Sequence, residues 1–162
     1  MGEVIKVSMA DLKVCKAPNS LTTLGLGSCV GVALYDKTTT VTGLAHVMLP
    51  SSKEIASNSN LAKFADTGIE ETLRIMKQEG ANMSNIVAKI AGGAQMFAFS
   101  AKKNDMLNVG ERNVMAVKEK LKEKNITIIA EDTGLNYGRT VIISAETGMY
   151  TIKAVGKPVK EI

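Results

Sequence analysis

The chain has 162 residues, 45% hydrophobic and 22% charged, with a net charge of +4 and a pI near 9.0. That length suits one domain over residues 1–162 with a sizeable core, and no apolar run reaches the ~18 residues of a membrane span, so an integral membrane protein is not expected. A charge this mild, with 4% aromatics and no tryptophan, does not point to nucleic acid.

Residues 1–11 contain no basic segment followed by an apolar one, so no secretion signal is read. Cys15 and Cys29 are too few for a disulfide framework and are expected as reduced thiols in the cytoplasm. Residues 4–8 and 11–16 read as short strands, followed by Pro18-Asn19-Ser20 as a break. Residues 29–35 are apolar and β-branched and predict a buried strand. Asp36 to Thr39 marks a turn, and residues 41–49 return as a second strand, completing a hairpin.

A polar loop over 50–59 precedes a helix over 60–79, with Asn60 as N-cap and Gly80 as the stop. Leu61, Phe64, Ala65, Ile69, Leu73 and Met76 recur at helical spacing. Residues 86–91 read as a buried strand ending in Gly92-Gly93. A second helix starts near Val109. Asn108 and Glu111 form its capping pair, Val114, Met115, Val117 and Leu121 its apolar stripe, and Asn125 its C-terminal cap. Met76 and Met115 are expected to fill core gaps. Lys118 to Lys124 alternates Lys with Glu and reads as a solvated helix face. Strands over 126–130, 139–144 and 149–155 close the chain, with a loop over 132–138. The order predicts an α/β fold, a mixed sheet with two main helices.

The stretch Thr23-Leu24-Gly25-Leu26-Gly27-Ser28-Cys29 puts a thiol after a glycine-rich turn. His46, the only histidine, follows Cys29 by 17 positions. A hairpin of that length can bring both side chains to one end of a sheet, and thiol plus imidazole is the minimal apparatus for thiolate catalysis. The bland alternative is a buried cysteine acting as a small hydrophobe and a hydrogen-bonded core histidine. Gly25 and Gly27 allow positive φ and close approach, and backbone N–H groups near Gly27, Ser28 and Cys29 are candidate oxyanion or substrate donors. A serine triad on Ser28 ranks below the thiol. Gly25-x-Gly27 lacks the third glycine and the following helix of a dinucleotide site, and one His with two Cys falls short of a zinc site. Gly92-Gly93-Ala94 is read first as a tight strand-to-loop turn. The run Met96-Phe97-Ala98-Phe99 is either a core plug or a partner patch.

Taken together, Thr23 to Val30, Ala45-His46-Val47-Met48-Leu49-Pro50, Lys63-Phe64-Ala65-Asp66-Thr67, Lys89 to Phe97, Gly110-Glu111-Arg112-Asn113 and Glu131-Asp132-Thr133-Gly134 resemble the CheD family of chemoreceptor glutamine deamidases. The resemblance covers nearly the whole chain. The family pattern often has a second glycine where this chain has Leu135. The resemblance implies a layered α/β sandwich similar to deamidases of the cytotoxic necrotizing factor type. It implies Cys29 as nucleophile, His46 as base and Thr23 as the third catalytic residue. It implies receptor cytoplasmic domains as substrate and a CheC-type phosphatase as partner; the thiol–imidazole chemistry calls for no cofactor, and the alternative is a mainly non-catalytic binding regulator of that phosphatase. Phe97 and Phe99 are the expected contacts with that partner, because aromatics are favoured anchors.

Overall fold

Strand Val30–Asp36 is buried at every position. It therefore needs cover on both faces, and the rest of the chain supplies that cover as layers. The computed structural model describes residues 2–54, 59–96 and 108–162. Its strands are β1 (Val4–Lys6), β2 (Leu12–Cys15), β3 (Ser20–Leu26), β4 (Val30–Asp36), β5 (Thr42–Val47), β6 (Ile86–Gly92), β7 (Thr127–Thr133), β8 (Arg139–Ser144), β9 (Tyr150–Lys153) and β10 (Lys160–Glu161), and its helices are α1 (Ala65–Gln78) and α2 (Val109–Glu123). One five-stranded sheet runs β1-β3-β8-β9-β10 and the other β2-β5-β4-β6-β7. Both are mixed: β1 lies parallel to β3, β6 parallel to β7, and the other pairings are antiparallel. Among the described residues no helix is long and apolar enough to cross a membrane.

The side chains of β4 alternate between two cores, as a period of two requires. Val30, Val32 and Leu34 face the helices, where Ile69, Leu73, Met76, Val117 and Leu121 meet them. Cys29 and Ala33 face the other sheet, against Leu21, Leu26, Val141, Ile143 and Tyr150. Burying each of these large side chains is worth roughly 1.5–3 kcal/mol. Asp36 closes the β4–β5 turn. Its carboxylate accepts from Thr38 N–H at 2.9 Å, Thr38 Oγ1 at 2.7 Å, Thr39 Oγ1 at 2.9 Å and Asn82 N–H at 2.7 Å. Burial works to raise this carboxyl, but those bonds outweigh it and hold the group below the usual range.

The structure departs from the sequence reading in definite places. There are two mixed sheets where one was expected. The second was hidden because β3, read as a break and a glycine turn, is a strand whose antiparallel partner β8 lies far along the chain. A bulge between Thr23 and Leu26, with Gly25 at φ +72°, interrupts its alternation. Strand β7 runs on to Thr133, through residues assigned to a loop. Asn60 caps a single 3-10 turn, Leu61–Lys63, and α1 begins only at Ala65. The buried stripe of α2 is Gly110, Asn113, Val117 and Leu121, which leaves Met115 61% exposed instead of in the core. Asn108 does cap this helix, accepting from Glu111 N–H at 3.0 Å. Asn125 stands at φ +60° just past its end, the left-handed position Asn tolerates.

Candidate functional site

His46 sits in the interior strand β5, opposite Gly31 of β4. Its ring points between the sheets, because there it meets Thr23 of β3. Both side chains are fully buried. Thr23 Oγ1 lies 2.7 Å from His46 Nδ1 and also 2.7 Å from the carbonyl oxygen of Val7. A hydroxyl has one proton. The carbonyl can only accept, so that proton goes to Val7. The hydroxyl lone pair must then take the proton of Nδ1–H. This bonding settles the tautomer: Nδ1 carries the hydrogen, and Nε2 presents a free lone pair. Nε2 is buried and makes no hydrogen bond, to Cys29 Sγ or to any other described group.

Gly31, facing His46 across the hairpin, brings no side chain into this layer. A Cβ there would meet Tyr150 Oη at 2.7 Å and Leu26 Cδ1 at 3.0 Å. Tyr150 instead closes on the strand and donates its hydroxyl to the Gly31 carbonyl at 2.9 Å. The close approach of the sheets beside the histidine therefore depends on a glycine.

Cys29 is the residue before β4, so it stands beyond the last hairpin pair, Val30 with Val47. Extending that register by one residue places it across from Met48, two residues from His46 and on the same face. The end of β6 grips the turn that carries it. Gly93 N–H donates to Cys29 O and Ala94 N–H to Gly27 O, each at 2.8 Å. Gly92, at φ +111°, comes so close that a Cβ would lie 2.3 Å from Cys29 O. The Gly92-Gly93-Ala94 turn is thus a clasp on the cysteine loop. Gly27 is not in the positive-φ region. Its value is close approach: Met96 Cγ lies 3.3 Å from where its Cβ would be. Ser28 is half-buried beside the thiol.

Burial decides the resting charge state. It pushes the Cys29 thiol above its ordinary range and the His46 imidazole below its own. The neutral thiol beside the neutral imidazole is therefore the resting form near pH 7. This differs from a preformed thiolate–imidazolium pair.

Thr23, His46 and Cys29 thus share one layer, with a direct bond between the first two. Phe97 and Phe99, expected to bind a partner, lie outside the described residues. Sequence reasoning gives no role to Asn113, named there only within the Gly110-Glu111-Arg112-Asn113 motif; it is a fully buried amide on α2 that donates to the carbonyls of Ser28 and Met48, each at 2.9 Å. The available signal was its spacing from Gly110 and Val117, which puts a polar residue on the apolar stripe.

Comparison with known proteins bears on the whole chain. Residues 48–154 match the family model for CheD chemotactic sensory transduction. That match starts just after His46, but full-length relatives extend over the earlier residues. A probable chemoreceptor glutamine deamidase CheD of Lachnoclostridium phytofermentans is 62% identical over 162 residues, 100% of both chains. A probable chemoreceptor glutamine deamidase CheD of Caldanaerobacter subterraneus subsp. tengcongensis is 54% identical over 161 residues, 99% of both. The chemoreceptor glutamine deamidase CheD of Halalkalibacterium halodurans is 48% identical over 163 residues, 100% of both. With a family model spanning most of the sequence and relatives aligned from end to end, the chain belongs to the CheD family.

Proposed function

We propose that this protein hydrolyses glutamine side chains of chemoreceptors to glutamate, releasing ammonia, with Cys29 as nucleophile, His46 as general base and acid, and Thr23 orienting the imidazole. The observation that carries the reading is the chain Val7 O···Thr23 Oγ1···His46 Nδ1, which leaves Nε2 unpartnered in the layer that holds the Cys29 thiol. The relatives' names supply the substrate class.

The steps follow from the chemistry of these groups. Nε2 takes the proton of Sγ as sulfur attacks the amide carbon, forming the S–C bond. The carbonyl oxygen becomes an oxyanion, held by the Cys29 N–H of the turn formed by Gly27 and Ser28. The imidazolium returns its proton to the amide nitrogen, the C–N bond breaks, and ammonia leaves a thioester. Water then gives a proton to Nε2 and adds to the thioester carbon. As that adduct collapses, the S–C bond breaks, Nε2 returns its proton to the departing sulfur, and glutamate is released with the thiol restored. The Thr23 hydroxyl accepts from Nδ1–H throughout, so it supports the imidazolium as its charge develops. No step requires a metal or organic cofactor.

The reading takes residues 1–162 as one catalytic unit working in the cytoplasm, where the receptor segments lie. Likening the fold to deamidases of the cytotoxic necrotizing factor type rests on the family resemblance. Binding to a CheC-type phosphatase rests on family membership alone. Mass spectrometry of a receptor cytoplasmic fragment tests the activity, since each deamidation adds about one dalton. A fragment that gains no mass and releases no ammonia with the folded protein would sink the proposal.

A further inference from the structure

Asn113 touches both segments that carry the candidate pair. Its amide nitrogen donates to Ser28 O, just before Cys29, and to Met48 O, two residues after His46. Both amide hydrogens are used, and Oδ1 is buried with no hydrogen bond. The reverse amide orientation would set Oδ1 against two carbonyl oxygens, a contact with no proton between acceptors. The two carbonyls therefore dictate this pose at the expense of an unmet acceptor.

The Ser28 carbonyl and the Cys29 N–H belong to one peptide unit. A trans peptide is planar, and its C=O and N–H point in opposite directions. Holding Ser28 O toward α2 therefore turns the Cys29 N–H away from α2. The neighbouring strand leaves that N–H open. Gly93 donates to Cys29 O at 2.8 Å, and an antiparallel ladder would return a bond from Cys29 N–H to Gly93 O. Gly92 and Gly93, at φ +111° and +65°, swing the chain aside. The Gly93 carbonyl is taken up against Gly110, where a Cβ would lie 2.6 Å from it. Among the described residues, Cys29 N–H donates to no backbone carbonyl.

We propose that Asn113 is a positioning residue for catalysis: by anchoring the Ser28 and Met48 carbonyls it aims the Cys29 N–H as the oxyanion donor. This inference rests on the deamidase reading. It gives the Asn of Gly110-Glu111-Arg112-Asn113 a defined task and explains a polar side chain on the buried stripe of α2.

The test separates oxyanion binding from thiol chemistry. Ammonia release from a glutamine-bearing receptor fragment needs an oxyanion donor, whereas alkylation of Cys29 by iodoacetamide does not. Asn113→Ala and Asn113→Asp are compared with wild type, each checked for folding by circular dichroism. The Asp variant keeps the shape and guards against an Ala variant that fails to fold. It has at most one proton to donate, so it cannot hold both carbonyls. Losing an oxyanion donor outright costs about 10²–10³-fold in kcat, so misaiming one is expected to cost about 10- to 100-fold. KM and the Cys29 alkylation rate should stay within about threefold of wild type, since neither uses that donor. A folded variant with unchanged kcat overturns the inference. Parallel loss of kcat and alkylation also overturns it, since Asn113 would then be holding the thiol–imidazole pair. A wild-type protein that releases no ammonia removes the deamidase reading and this inference together, and the wild-type control reveals that case by itself.

Discussion

The two cysteines make an informative contrast. Cys15 and Cys29 are each 8% exposed, each lines the layer between the sheets, and burial raises both thiols, Cys15 to about 11. Equal exposure does not tell them apart. Their positions along β5 do. Cys15 pairs with Thr42 at the start of that strand, while Cys29 lies beyond Val47 at its end. Four residues of strand, roughly 13 Å, separate Thr42 from His46. Cys15 also sits within a regular ladder, whereas Cys29 rides on a glycine turn clasped by Gly93 and Ala94. The position along β5 and the glycine turn are the grounds for proposing Cys29 and not Cys15 as nucleophile, since a buried thiol by itself is inert.

The sharpest way to break this contrast is to remove each sulfur in turn. Cys29→Ala is expected to lower deamidation by at least about 10⁴-fold, while Cys15→Ala retains it. Ammonia release from a receptor fragment reads both. Activity surviving in Cys29→Ala, or vanishing in a folded Cys15→Ala, would reverse the assignment.

His46→Ala comes next, with an expected loss of at least about 10²-fold, the scale of general acid–base catalysis. Thr23→Val keeps the shape of the side chain but cannot accept from Nδ1–H. A hydrogen bond to a charged group is worth roughly 1.5–3 kcal/mol, so kcat should fall by about 10- to 100-fold. Thr23→Ser should keep most of the activity. Equal inactivity of the Ser and Val variants would show that the methyl group's packing, not the hydroxyl, is what matters.

The pH profile follows from the directions of the two shifts. Imidazole must be unprotonated to take the proton, and burial lowers its pKa, so the acid limb should fall below the ordinary value of about 6.5. Burial raises the Cys29 thiol, so the alkaline limb, where the proton needed by the leaving nitrogen is lost, should lie above about 8.5. A kcat/KM profile whose acid limb sits above 7 would contradict a buried neutral imidazole as base. The smallest effect is expected in alkylation. Near neutral pH, iodoacetamide should modify Cys29 a few-fold faster than Cys15, because His46, the proposed base, lies toward the Cys29 end of β5. Replacing His46 should bring the two rates together, and rates equal already in wild type would erase the contrast at its simplest level.

Local chemistry made much of this legible in the sequence. The β4–β5 hairpin was readable because its strands adjoin and Asp36 to Thr39 closes them, and that hairpin linked Cys29 with His46. Helices α1 and α2 were readable by periodicity, although Met115 was put on the wrong face and Asn113 was given no role. Thr23 was reached through family resemblance alone, since nothing in its own stretch indicates a histidine partner. Its strand, β3, looked like a turn because Gly25 and Gly27 interrupt the alternation, and the β8 residues that order it are more than a hundred positions away.

What the sequence determined by itself, then, is set by neighbours a few residues apart: the hairpin, the helix periods, the caps of α2, and the thiol and imidazole at one sheet end. What only the tertiary structure decided needs distant segments in contact. The β3–β8 pairing of the second sheet spans more than a hundred positions, and the Val7–Thr23–His46 chain that selects the tautomer and the Asn113 anchor on Ser28 and Met48 join residues 16 to 85 positions apart. A hydrogen bond across such a span leaves no periodic trace in the chain. It arises only when packing of the layers has met the entropy cost of bringing its partners together.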